Sequence, residues 1–322
     1  MGKLTKMDVV YDTGSDWLVV EGSDCSTCEG NTYDISVSLD SGEAVALADQ
    51  TSSRSYGSAE LEGKEYTDTV CILFTACVEN FEFFLIEKQT GINEPIDGIM
   101  GMSRNNPFHI SPGAPNTTGP LYVEHLAKNG IIGENLFSFY FTEPGTLSWV
   151  DLGEPDLSNI REDATLEVIQ LVEDDFFWAD YVQGVAIGDT GPSNVYSWET
   201  LPDYTTEKDQ AFYSVIDTGS TALLISALYY ESLVLKMMDK VSNVEWSFQD
   251  GLVFTPCDAT YPNIYFMLNQ YWIEVNPKDY LFPVTEDLTM CVFFIMPVDL
   301  PMNILGMPLF VDYYTIHDPV QG

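Results

Sequence analysis

Short apolar runs, each a few residues long and broken by turn-forming residues, recur along the whole chain. They predict strands at Met7–Tyr11, Trp17–Val20, Val45–Leu47, Phe81–Ile86, Leu136–Phe141 and Leu166–Val172 in the first half. In the second half they predict strands at Tyr213–Ile216, Ala222–Ile225, Ile264–Leu268 and Val292–Met296. Runs of this length, punctuated at short intervals, are the pattern of an all-β protein. Helical periodicity is confined to two stretches. Pro120–Asn129 puts Leu121, Leu126 and Ala127 on one side, with Gly130 placed to end the helix; Ser226–Lys240 does the same with Leu233, Leu235 and Met237. The stretch Asn105–Gly119, dense in proline and glycine, reads as an irregular loop. Asp151–Ala164 is polar and contains Gly153 and Pro155, so a connection between two lobes is expected there or shortly after.

A repeat lies beneath this pattern. Val9-Val10-Tyr11-Asp12-Thr13-Gly14-Ser15 in the first half is echoed by Ser214-Val215-Ile216-Asp217-Thr218-Gly219-Ser220 in the second. Each is followed at a similar distance by two apolar residues and a glycine, Ile99-Met100-Gly101 and Ile304-Leu305-Gly306. One Asp-Thr-Gly-Ser is a common turn sequence. Two, each with the same downstream companion, predict two lobes of like architecture. The chemistry follows from the residue types. An Asp just past an apolar strand is carried into a buried loop, and the Gly permits a tight backbone turn there. The Thr and Ser hydroxyls can bond neighbouring backbone and carboxylate oxygens. Two such loops meeting face to face would bring two carboxyls into one site. Like charges that close cannot both ionise easily, so the pair shares a proton, as the aspartic-protease dyad does.

Composition narrows the setting. The 322 residues include 45% hydrophobic and 13% aromatic residues, enough for a large core, and no run reaches the roughly 18 apolar residues of a membrane-spanning helix. Twelve basic residues stand against 50 acidic ones, a net charge of −38. Such a surface repels nucleic acid and anionic membrane, and its self-repulsion relaxes near pH 4 as carboxylates take up protons. An acidic compartment is therefore expected. The six cysteines, Cys25, Cys28, Cys71, Cys77, Cys257 and Cys291, are even in number and suit disulfides in an oxidising compartment. Cys25 and Cys28 could instead be half of a zinc site, although no second half is visible. The first residues lack the apolar stretch of a secretory signal, so the natural N-terminus is expected to lie elsewhere. Asn116-Thr117-Thr118 is a possible glycosylation triplet. His109, His125 and His317 are scattered without a zinc-binding pattern, and no serine-hydrolase elbow, phosphate loop or dinucleotide fingerprint occurs.

Taken together, the two Asp-Thr-Gly-Ser segments and their glycine companions make the chain resemble the pepsin-like aspartic proteases over nearly its whole length. The resemblance implies an all-β, bilobal acid-protease fold: two β-barrel-like lobes with a few short helices, residues 1–168 and 169–322. It implies an endopeptidase in which Asp12 and Asp217 activate a water at acidic pH, supported by Thr13, Ser15, Thr218 and Ser220. Tyr56 and Gly57 match the hairpin that closes over the substrate, the strand Asp68-Thr69-Val70 follows it, and Gly14, Gly219 and Thr221 would hold the peptide. Cys257 would pair with Cys291 and Cys71 with Cys77, while a bridge between the neighbours Cys25 and Cys28, read from their spacing, would close a very small loop. No metal or cofactor is implied. Polypeptide substrates and statine-type peptide inhibitors are the expected partners, the chain a monomer, and its location the secretory route, lysosomal, vacuolar or extracellular, with a zymogen stage.

Two positions depart from the family pattern. Where the family carries a Trp that bonds the hairpin Tyr, this chain has Val19, with Trp17 nearby; the hairpin tip reads Tyr56-Gly57-Ser58-Ala59 instead of Tyr-Gly-Thr-Gly. These departures leave open an inactive homologue that binds peptides in its cleft.

Overall fold

In a computed structural model, the structure describes residues 5–47, 50–57, 59–72, 75–92, 95–104, 119–142, 147–172, 176–189, 191–192, 194–196, 212–241, 245–249 and 251–319. The glycosylation triplet, His109 and Ser58 lie outside these residues. Most of the described secondary structure is strand, as the alternation predicts, and the fold is the all-β bilobal one.

The sequence repeat is also a structural repeat. Val9–Asp12 runs parallel to Gly98–Gly101, register Val9↔Gly98 through Asp12↔Gly101. Gly98–Gly101 is also antiparallel to Leu18–Glu21, which pairs in parallel with Ala76–Thr90 through Val19↔Phe84. In the second half Phe212–Ile216 runs parallel to Asn303–Leu305, register Ser214↔Asn303 through Ile216↔Leu305. Asn303–Leu305 is antiparallel to Leu223–Ser226, which pairs in parallel with Ile295–Val298. Order and sense agree strand for strand. These central strands are apolar because both faces are covered; every residue of Leu18–Glu21 is buried.

Each lobe then elaborates its sheet. A long hairpin, Ala59–Ile72 against Ala76–Thr90, extends the first and carries Ser52–Tyr56 on its edge. Ala179–Gly188 anchors the second, flanked by Phe212–Ile216 and Asn263–Leu268. A smaller sheet of Ser247–Gln249, Leu252–Pro256, Met290–Phe293 and Leu281–Pro283 lies alongside. Separate buried clusters fill the lobes, one around Phe81, Phe83, Tyr122 and Phe137, the other around Tyr229, Phe266, Tyr280 and Phe293. The strand Tyr314–His317, late in the chain, pairs with Phe137–Tyr140 of the first half, which in turn pairs with Trp149–Leu152.

Several expectations need correcting. Leu166–Val172 is not a strand: Leu166 and Val168 are 56% and 53% exposed, and only its end reaches a strand backbone, where the Val172 N–H donates to the Ala179 carbonyl among the described residues. Among the described residues no strand pairs with this apolar run. Val292–Met296 is two strands, because the chain changes sheets at Phe294; Met290–Phe293 pairs with Leu252–Pro256, Ile295–Val298 with Leu223–Ser226. The helices are shorter than expected, Tyr122–Lys128 and Tyr230–Met238, the first followed by Gly130 at φ 68°. A helix at Ile35–Ser41 was not expected. Asp34 caps it by accepting from the Ser36 N–H (3.1 Å), and Gly42 ends it at φ 78°.

Candidate active site

Both Asp-Thr-Gly-Ser segments sit where a parallel strand pair delivers them to the same point. Asp12 ends the strand Val9–Asp12, and its carbonyl accepts from the Met102 N–H (2.7 Å). Asp217 follows Phe212–Ile216, and its N–H donates to the Leu305 carbonyl (3.0 Å). The apolar-apolar-Gly segments thus lie beside each aspartate. Gly101 and Gly306 press against the backbone of Asp16 and Ser220, so that a side chain at either would push the loop away.

The two loops bond their aspartates in the same way. Asp12 Oδ1 accepts from the Gly14 N–H (2.8 Å) and Oδ2 from the Ser15 hydroxyl (2.5 Å). Asp217 Oδ1 accepts from the Gly219 N–H (2.8 Å) and Oδ2 from the Ser220 hydroxyl (2.6 Å). The threonines cross between the loops. Thr13 N–H donates to Thr218 Oγ1 (3.1 Å) and Thr218 N–H to Thr13 Oγ1 (3.0 Å). Each hydroxyl in turn donates to a carbonyl of the opposite strand, Thr13 to Ile216 (2.8 Å) and Thr218 to Tyr11 (2.6 Å). The glycines cross as well: a Cβ on Gly14 would stand 2.7 Å from Asp217 Oδ1, and one on Gly219 2.6 Å from the Asp12 carboxyl carbon.

Asp12 and Asp217 are both buried, 8% and 9% exposed, and their carboxyls share a hydrogen bond. Burial, then the charge of Asp217, then that shared bond push the Asp12 carboxyl well above its ordinary range, against the pull of Ser15 and Gly14. A pair that holds one proton across a wide acid range can present one carboxylate and one acid at the same time. The sequence of the whole chain agrees with this geometry: residues 3–321 match the family described as eukaryotic aspartyl protease. The chain belongs to that family. Relatives at low identity include a vacuolar protease A of Arthroderma otae (25% identical, covering 98% of this chain and 72% of the relative). Gastricsin of Rattus norvegicus (24%, 96% and 74%) and cathepsin E of Mus musculus (24%, 96% and 73%) are similar in the same way.

Tyr56 closes a hairpin with Ala59, Gly57 at the tip having φ 49°. Tyr56 packs on Trp17, Val19, Leu61, Phe84 and Ile86, and its buried hydroxyl has no hydrogen-bond partner among the described residues. Burial, with the charges of Asp16 and Asp12, holds that hydroxyl protonated. Thr221 is exposed just beyond Ser220. The six cysteines form three disulfides, Cys25–Cys28, Cys71–Cys77 and Cys257–Cys291. The first packs against the Trp17 cluster, the second closes the far end of the long hairpin, and the third borders the Leu252–Pro256 sheet.

Two charged residues near the site carry no motif and were missed. Asp16 is buried, accepts from the Gly119 N–H, and is pushed up to about 6 by burial, against that bond and the nearby Arg54. Arg54, on the Tyr56 strand, is buried too. The alternation along Ser52–Tyr56 turns both Arg54 and Tyr56 inward, and that was the available signal.

Proposed function

We propose that this aspartyl protease family member is an acid endopeptidase that cuts an extended polypeptide with Asp12 and Asp217. The observation that carries the reading is the pair of buried, adjoining carboxyls with mirrored bonds to Gly14 and Ser15 and to Gly219 and Ser220. In the acid range the pair holds one proton. Its carboxylate takes a proton from a water as the water oxygen bonds to the scissile carbonyl carbon, and its acid partner gives a proton to the carbonyl oxygen. The tetrahedral diol then breaks its C–N bond as a proton passes to the leaving nitrogen, leaving an acid and an amine. No covalent enzyme intermediate arises. The two carboxyls titrate together, so the roles belong to the pair.

The hairpin bearing Tyr56 and Gly57 would cover the bound peptide and exclude water. Gly14, Gly219 and Thr221 would line its path. Residues 1–168 and 169–322 form the two lobes in this reading, the connection falling in a stretch without helix or strand. Three disulfides and the acidic surface fit the secretory route, in a vacuolar, lysosomal or extracellular setting, with the chain acting as a monomer.

The test is cleavage of a denatured protein substrate from pH 3 to 7, with and without a statine-type peptide inhibitor. Acid cleavage blocked by the inhibitor is expected. A well-folded protein, matured under acid, that cuts nothing while still binding the inhibitor would overturn the reading in favour of a peptide-binding homologue.

A further inference from the structure

Along Ser52–Tyr56 the side chains alternate: Ser53 and Ser55 are exposed, while Ser52, Arg54 and Tyr56 turn inward. The inward side meets the small cluster of Trp17, Val19, Leu61, Phe84 and Ile86. A cation in the middle of that side runs against hydrophobicity, since arginine is rarely buried unless paired. Arg54 is nonetheless only 9% exposed. Its guanidinium carbon lies 4.7 Å from the centroid of the Trp17 ring and 4.9 Å from that of Phe84. Nη2 forms an ion pair with Glu65 on the neighbouring strand. Nη1 donates to the Ser53 carbonyl (3.0 Å) and the Ser52 hydroxyl (3.3 Å), and the Asp16 carboxyl lies close enough to feel its charge. A planar, weakly hydrated cation suits contact with two aromatic faces in a way a lysine does not.

The two elements joined here matter more than the contact itself. Trp17 and Asp16 continue the loop that starts at Asp12, and Ser15, beside them, donates to the Asp12 carboxylate. Phe84 lies on the long hairpin, and Arg54 on the strand that ends at Tyr56. Among the described residues the Tyr56 hydroxyl has no hydrogen-bond partner, so its ring is held by packing alone. The family's bonding Trp is replaced by Val19, fully buried and without a donor. The ring's position therefore depends on its strand, and the strand is held to the Asp12 loop by Arg54.

We propose that Arg54 is a positioning residue of this protease: stacked on Trp17 and Phe84, it holds the Ser52–Tyr56 strand, and with it Tyr56, against the Asp12 loop. The inference rests on reading that hairpin as the cover of the cleft. Removing one partner of a buried ion pair leaves the other charge uncompensated and destabilises the fold, so the thermal midpoint is read beside local exchange in Arg54→Met to separate positioning from folding. Arg54→Lys keeps a charge for Asp16 and Glu65 should the methionine variant fail to fold.

The experiment measures kcat and KM on a peptide substrate in acid, the thermal midpoint, and amide hydrogen exchange across residues 50–63, on parent and both variants. Arg54→Met is expected to lose at least tenfold in kcat/KM, mostly through KM. Exchange of the Ser52–Tyr56 amides should quicken at least tenfold, and by more than that of the second-half strands, whatever the fall in midpoint. Arg54→Lys should lose at least threefold in kcat/KM and exchange at least threefold faster. Exchange unchanged in the variants would overturn the proposal, whatever happens to turnover. A parent without turnover would count against the protease reading instead, and exchange would still decide the role of Arg54.

Discussion

Thr13 and Thr218 bond each other twice, the N–H of each reaching the hydroxyl of the other at 3.1 and 3.0 Å. Each hydroxyl also spends its own proton on a carbonyl of the opposite strand. Thr218→Val keeps the shape but strips the Thr13 N–H and the Tyr11 carbonyl of their partners. A buried polar group left unpaired costs about 1–3 kcal/mol. The variant should lose roughly 2–4 kcal/mol in urea unfolding at pH 4, together with most of its turnover. A loss below about 1 kcal/mol would mean that the crossed bonds do not join the two loops.

Asp12→Asn should abolish turnover and change the pH dependence of stability. The Asp12 carboxyl is raised in the folded state above its unfolded value, so over the window between the two the folded chain holds a proton that the unfolded chain has shed. Stability is therefore fully present below about pH 4 and is lost as pH rises. Asparagine carries no such proton. The variant should gain on the parent in thermal midpoint between pH 4 and 7, and match it more closely at pH 3. A constant difference across that range would contradict the assignment of the raised carboxyl.

Gly219→Ala tests the crossing of the loops. Gly219 has an ordinary negative φ and is exposed, so alanine suits its backbone. The new Cβ would nevertheless stand 2.6 Å from the Asp12 carboxyl carbon and must displace it. Misplacing a reacting group by about 1 Å can cost on the order of a hundredfold in rate. A fall of about that size in kcat, with the unfolding midpoint nearly unchanged, is expected; full activity would show that the carboxyl yields freely.

His317 gives a second pH prediction, of opposite sign. It is buried, stacked on Phe137 (4.8 Å, 11°) and edge-on to Phe139 and Trp178, and burial lowers its pKa to about 3. An unfolded histidine protonates near pH 6.5, so from there down to about pH 3 acid favours unfolding. At pH 4 the penalty reaches at most about 3.5 kcal/mol, from roughly 1.4 kcal/mol for each unit. His317→Phe should remove it, raising the thermal midpoint at pH 4 by several degrees more than at pH 7. An equal gain at both would rule out the titration.

Much of the site was readable because its chemistry is carried by short contiguous segments. Asp12, Thr13, Gly14 and Ser15 are neighbours in sequence, and the repeat at Asp217 marks the second loop. The strands that deliver them are apolar on both faces and stand out for that reason. Leu166–Val172 misled because a short apolar run reports residues suited to a strand, and cannot report whether a partner strand is there. Val292–Met296 hid a change of sheet, since both sheets ask for the same residue types. The helix at Ile35–Ser41 buries none of its residues and alternates Ile, Ser, Val, Ser and Leu, so its capping Asp34 and Gly42 were its main marks. Arg54 had only the alternation along Ser52–Tyr56 to mark it, and a lone arginine reads as surface until the rings above and below it are known.

The pairing of Tyr314–His317 with Phe137–Tyr140 has a consequence for biosynthesis. The Phe137 strand leaves the ribosome 180 residues ahead of its His317 partner, which pairs with it in register. At about 5–20 residues per second, that interval lasts on the order of 10–40 s. For that time one edge of the Phe137–Tyr140 strand, with its two phenylalanines, stands without its neighbour. An unpaired, aromatic edge of that kind is where newly made chains adhere to one another. The nascent protein should therefore need a chaperone most while its second half is being made, and least once residue 317 has emerged.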